Sequence, residues 1–222
     1  MSSVIILPQQ DCIHLACDTA AFFKSHFRYH AVKALPIPHL NAVVMVRGSI
    51  SRSREIFLMA GQCSSQDELI RVFPKKLDYF RYSWRRIFPR IHHFDVAVAG
   101  VGIGRHSDPF CIHLSTQGSE GGAGPYGVTT IDDVFASPEP KGDLWKLVAG
   151  FDRDNAFAMG FPGLKGTTEN LDAALLRVFE AQRYSGMVGG AAVVYTIRRD
   201  GITARLLKDW KMQRGDKLRV GD

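Results

Sequence analysis

The chain has 222 residues, 45% of them hydrophobic and 23% charged, enough to bury a sizeable core, and one large domain is the expectation. No run of about 18 apolar residues occurs, and the first residues lack the basic start and long apolar stretch of a secretory signal, so a soluble, cytoplasmic chain with no membrane partner is expected. The net charge of +6, from 28 basic against 22 acidic residues, tolerates acidic partners without demanding them, and with no binding motif beside it nucleic acid is not an expected partner.

Val4 to Leu7 and Cys12 to Cys17 are apolar runs on either side of the turn-rich Pro8-Gln9-Gln10-Asp11, which predicts a β-hairpin almost at the first residue. A second β region follows, because Leu35-Pro36-Ile37-Pro38 forbids helix and Ala42 to Val46 is apolar and β-branched before Gly48. Ser65-Gln66-Asp67-Glu68 has the form of a capped helix start, and Pro74 suits the first turn of a second helical stretch running to about Phe88, where Pro89 closes it.

Asp95 to Gly100 and Phe110 to Ser115 read as strands, Gly118 to Gly127 is too glycine-rich to be regular, and Val148 to Ala158 suits short strands or loop. Asn170 to Arg183 carries apolar residues at helical spacing, with Thr167 or Thr168 as a possible cap. A last hairpin pairs Ala191 to Ile197 with Ile202 to Leu207 around Asp200-Gly201, a pair that tolerates positive φ at both central positions. Strands, helices, strands, helix and strands in separate runs predict an α+β fold of two facing sheets with helices outside. Residues 1–210 are assigned to this domain and residues 211–222 to a polar, basic C-terminal tail.

Several motifs fall away on inspection. Gly100-Val101-Gly102-Ile103-Gly104 follows a strand, but the β-like Phe110 to Leu114 stands where a dinucleotide site needs its helix. Gly160 to Thr167 resembles a phosphate loop in composition only, because the GK[ST] order is absent. His26 and His30 are four apart, a spacing that would share a helical face, yet no nearby carboxylate completes a metal site. Cys12, Cys17, Cys63 and Cys111 show no CxxC spacing and read as free thiols, so neither metal nor cofactor is expected. No GxSxG elbow is present.

The start of the chain is more informative. Small Ser2 permits removal of Met1, which would leave a hydroxyl and a free α-amine on one residue. Such an amine titrates near 8 in model compounds, so close to neutrality part of it can take the hydroxyl proton, and a neighbouring lysine lowers both pKa values.

Ser2-Ser3-Val4 through Leu15-Ala16-Cys17-Asp18-Thr19 resembles the opening of proteasome β-type subunits and of the related bacterial ATP-dependent peptidase, members of the N-terminal nucleophile hydrolase superfamily. Sixteen positions part Ser2 from Asp18, as that family parts its nucleophile from its turn aspartate. Lys33 matches the family's active-site lysine with a one-residue shift, Gly48 the glycine whose N–H donates to the oxyanion, and Ser185-Gly186 a Ser-Gly near the last strands. Leu35 to Asn41 is similar to small bacterial and prophage-type members.

The resemblance implies a four-layer αββα sandwich of two mainly antiparallel sheets. It also implies cleavage of a peptide or other amide with Ser2 as nucleophile, Asp18 and Lys33 tuning it, Gly48 at the oxyanion, and Ser185 and Gly186 completing the site. The chain departs from the family at Gln182, a neutral amide where a carboxylate is usual, and this supports the alternative of a catalytically inactive structural or assembly protein. Homo-oligomers are implied too, and Leu77, Phe80, Trp84, Ile87 and Phe88 with Arg81, Arg85 and Arg86 form a candidate helical interface.

Overall fold

The computed structural model describes residues 3–9, 11–23, 25–48, 53–77, 94–103, 108–116, 118, 127–132, 135–138, 168–184 and 188–217. Ser2, Ser185, Gly186, the aromatic and arginine stripe from 80 to 88, Val148 to Ala158, and the glycine-rich stretch at 160–167 lie outside the described residues.

The fold is mixed α+β. Strands β1 (Val4–Pro8) and β2 (Cys12–Asp18) form the expected first hairpin. They belong to a five-stranded sheet in the order β10-β1-β2-β11-β12, where β10 is Phe135–Ser137, β11 Ala191–Arg198 and β12 Gly201–Asp209. A second five-stranded sheet runs β5-β6-β7-β8-β9, from Ala34–Ile37, Ala42–Gly48, Phe94–Val101, Pro109–Ser115 and Val128–Thr130. Every strand pair in both sheets is antiparallel. A separate two-stranded ribbon, β3 (Ala20–Phe23) with β4 (His26–His30), follows the first hairpin. His26 and His30 therefore sit on a strand and share no helical face.

The central strands are apolar on both faces because both faces are covered. In β6, Val44 and Val46 enter one cluster with Ile56, Ala60, Leu69 and Phe73, while Val43 and Met45 enter another with Ile13, Leu15 and Cys17 of β2. On the opposite face of β2, Ala16 joins Leu171, Leu175, Val178 and Phe179. The helices supplying these residues are α1 (Ser53–Gly61), α2 (Gln66–Arg71) and α3 (Thr168–Tyr184). Residues 73–77 are also helical, the start of the stretch expected from Pro74.

Ser65 caps α2 by accepting from the Glu68 N–H at 3.1 Å, but the Glu68 carboxylate reaches back to Ser64 and not to Ser65. Gly100 is buried against the Phe110 ring, and β7 pairs with β8 in an antiparallel register. The four cysteines are free and buried. No described helix is long and apolar enough to cross a membrane.

The segment after β12 folds back against the ribbon. Phe27 N–H donates to Asp216 O and Gly215 N–H to Phe27 O, each at 2.9 Å, and Lys217 makes a β-bridge with His26.

Candidate functional site

Hairpin register brings the site together. Val4 lies opposite Cys17, so Ser3 meets Asp18 at the open end of the hairpin, and the Ser3 N–H donates to Asp18 Oδ1 at 2.8 Å. On the other side of β2, Ala192 lies opposite Asp18, which carries the Gly189-Gly190 stretch alongside. Lys33 precedes the edge strand β5, and its carbonyl is held by the Val46 N–H at 2.8 Å. Its ammonium reaches Asp18 Oδ1 at 2.8 Å, and neither side chain is exposed to solvent.

The second carboxylate oxygen, Oδ2, accepts from the Ala20 and Gly189 N–H groups, each at 3.3 Å. Four donors thus converge on one buried carboxylate, three from backbone and one from an ammonium. That arrangement is what allows two charges to stay away from water, since burial without such partners would cost roughly several kcal/mol per ion.

Ser3 is committed by both of its polar groups. Its hydroxyl donates to Gln182 Oε1, and the Gln182 Nε2 donates to the Pro138 carbonyl at 2.7 Å. Gln182 is fully buried on α3, so this amide ties the start of β1 to α3 and to the end of β10. The amide supplies no charge.

Gly48 ends β6 with φ of 96°, next to Arg47, which pairs with Asp95 at 2.7 Å and also donates to Ser137 Oγ. Among the expected site residues, Asp18 and Lys33 are in direct contact, and Gly48 closes the strand whose Val46 holds the Lys33 carbonyl. Ser3, Ala20 and Gly189 were not anticipated. Ser3 enters the sequence reading only within the Ser2-Ser3-Val4 start, one residue before the apolar run.

A cavity of about 690 Å³ opens beside the residues leading into Lys33, walled by Tyr29, Val32, Leu35, Phe57 and Leu58 with Arg54 at its polar side. That volume suits a ligand-sized group and the walls are mainly apolar.

Two buried thiols of β2 are silenced by their surroundings. Burial first, then the Asp18 charge, pushes the Cys17 thiol up to about 12, so it stays protonated beside the ion pair. Cys12 Sγ lies 3.5 Å from His14 Nε2, yet burial raises the thiol and lowers His14 to about 4, the reverse of a thiolate–imidazolium pair. His14 Nδ1 instead meets Thr196 Oγ1 at 3.0 Å, and Arg205 donates to that same hydroxyl at 3.1 Å. No group of three or more metal-binding side chains occurs among the described residues.

Compared with known proteins, the chain matches no protein-family model, and no curated protein is significantly similar to it in sequence.

Proposed function

We propose that this chain is an N-terminal nucleophile hydrolase of the proteasome β type, acting on a peptide or other amide. The observation that carries the reading is the buried Asp18–Lys33 pair, anchored to the backbone N–H of the residue directly after Ser2. A buried ion pair is no help to stability compared with an apolar pair, so its presence at the open end of the first hairpin favours a chemical role.

In this reading Met1 is removed and Ser2 Oγ attacks the substrate carbonyl while its own α-amine takes the hydroxyl proton. Lys33 lends positive charge that favours the ionised nucleophile, and Asp18 keeps the ammonium in place. The Gly48 N–H receives the oxyanion, with Ser185 and Gly186 in support. The cavity next to Lys33 takes an apolar group of the substrate. The succession of three cores, helices on sheet, sheet on sheet, and sheet on α3, supports the four-layer αββα arrangement that goes with this chemistry.

A second reading, an inactive structural or assembly protein, is favoured by Gln182. Its amide is spent on Ser3 and Pro138 and offers no carboxylate to stabilise an ammonium.

Labelling with a β-lactone or epoxyketone, followed by intact-mass measurement and peptide mapping, separates the two. Loss of Met1 with an adduct on Ser2 is the expected result. Retained Met1, or a protein that takes no label while Met1 is absent, sinks the hydrolase reading and leaves the structural one.

A further inference from the structure

We infer that the segment Trp210 to Lys217 is a positioning latch for the Asp18 carboxylate. Both backbone groups of Gly190 are taken by this segment. Its N–H donates to Met212 Sδ at 3.2 Å, and its carbonyl accepts the Trp210 N–H at 2.9 Å. The neighbouring peptide is the one that matters to the site, because the Gly189 N–H is a donor to Asp18 Oδ2.

Space around the two glycines is filled from both sides. A Cβ on Gly189 would come within 2.6 Å of Met212 Sδ, and one on Gly190 within 2.8 Å of Thr19 Oγ1, where the backbone has φ of 72°. The Gly189-Gly190 strip is thus clamped between Thr19 and the latch, and a side chain at either position would force them apart.

The other backbone donor to Oδ2, Ala20 N–H, begins the β3–β4 ribbon. That ribbon is held at its far strand by the same segment, through Phe27 with Gly215 and Asp216. Both backbone donors to Oδ2 therefore belong to pieces the latch secures, whereas Oδ1 is served by Ser3 and Lys33. The latch itself is anchored at Trp210. Its indole N–H donates to Glu180 Oε1 at 2.9 Å, and the Arg183 guanidinium sits 5.3 Å above the ring.

Loosening the latch frees the carboxylate to rotate about the Oδ1 contacts, which misaims the ammonium it holds. The consequence for acylation rests on the hydrolase reading; the mechanical coupling to Asp18 does not.

Amide hydrogen exchange followed by NMR tests it in the full chain, in a chain ended after Asp209, and in Met212→Ala and Met212→Leu. Gly189 and Ala20 make no hydrogen bond to the latch, so a merely structural tail would leave them alone. Exchange at both is expected to speed by about tenfold or more on truncation and in Met212→Ala, with Val96 and Val98 of β7 unchanged. Met212→Leu, which keeps the volume over Gly189, should return it to within about threefold of the full chain. Unchanged rates at Gly189 and Ala20, or an equal rise in β7, overturn the latch. If the shortened chain does not fold, Met212→Ala decides alone. The β-lactone acylation rate should fall in the same variants. Exchange coupling in a full chain that takes no label would keep the latch and discard the hydrolase reading.

Discussion

At the scale of residues, the Asp18–Lys33 pair sets the sharpest expectation. Removing either partner leaves an uncompensated charge where no water reaches, so Asp18→Asn and Lys33→Met should each lower the unfolding free energy by about 3–5 kcal/mol. The double variant should cost clearly less than the sum, because each change removes the other's penalty. Urea unfolding of the four proteins measures this, and single costs below about 1 kcal/mol would mean that the pair is as weakly coupled as a surface ion pair. Asp18 was legible in the sequence because the short first hairpin fixes the end at which it lies, whereas Lys33 came only from the family resemblance. Gln182 and Gly189 were harder. Their place at the site depends on how α3 and β11 pack from more than 160 residues away, and no local spacing encodes that.

Among the elements, the long strands and the helices α2 and α3 were readable from period and caps, with ends displaced by a residue or two. The last hairpin is displaced in an informative way. Arg198 pairs with Gly201, so the two-residue loop is Arg199-Asp200 and not Asp200-Gly201. Neither loop residue has positive φ, while Gly201 has φ of 137° at the first position of β12. Nothing lies within 4 Å of a Cβ built there, so any cost of a side chain is backbone strain and not collision. Gly201→Ala should therefore cost roughly 1–2 kcal/mol by urea unfolding. A neutral result would show that the turn relaxes to the type expected from the Asp-Gly pair. The strands β9 and β10 escaped the sequence reading because three residues are too few to display alternation. The ribbon β3–β4 escaped it as well, since its turn is made by Ser25 at φ of 67° and carries no glycine or proline.

For the whole molecule, two histidines buried on different sheets, His14 on β2 and His113 on β8, link stability to pH. Burial is the main cause in both. His14 is lowered to about 4, with the Arg205 and Arg198 charges adding to burial against the Asp172 and Asp11 carboxylates. His113 is lowered by burial and by Arg47, against Asp95, and its Nε2 has no hydrogen-bond partner among the described residues. An unfolded imidazole titrates near 6.5, so between that value and about 4 the unfolded chain binds more protons than the fold. Stability is then full above about 6.5 and falls as pH drops, His14 alone accounting for up to roughly 3 kcal/mol by pH 4. The urea midpoint should fall from pH 7 to 5, and His14→Gln should flatten part of that slope. A midpoint that stays level over this range would mean that the histidines are hydrated in the fold. The overall class was readable because unbroken apolar runs such as Ala42 to Val46 mark strands covered on both faces. What the sequence could not disclose is which strands neighbour one another, since β2 pairs with β11 across most of the chain. That strand order also bears on solubility. Among the described residues, three of the four edges of the two five-stranded sheets are guarded, β9 and β10 by being three residues long and β5 by Pro36, which has no N–H to offer an incoming strand. The fourth, β12, is nine residues long and displays an exposed Leu206. Its exposed charge is Lys208, since Arg205 is paired with Asp172, so self-association of concentrated protein would begin at this edge and be favoured by salt, which screens that charge.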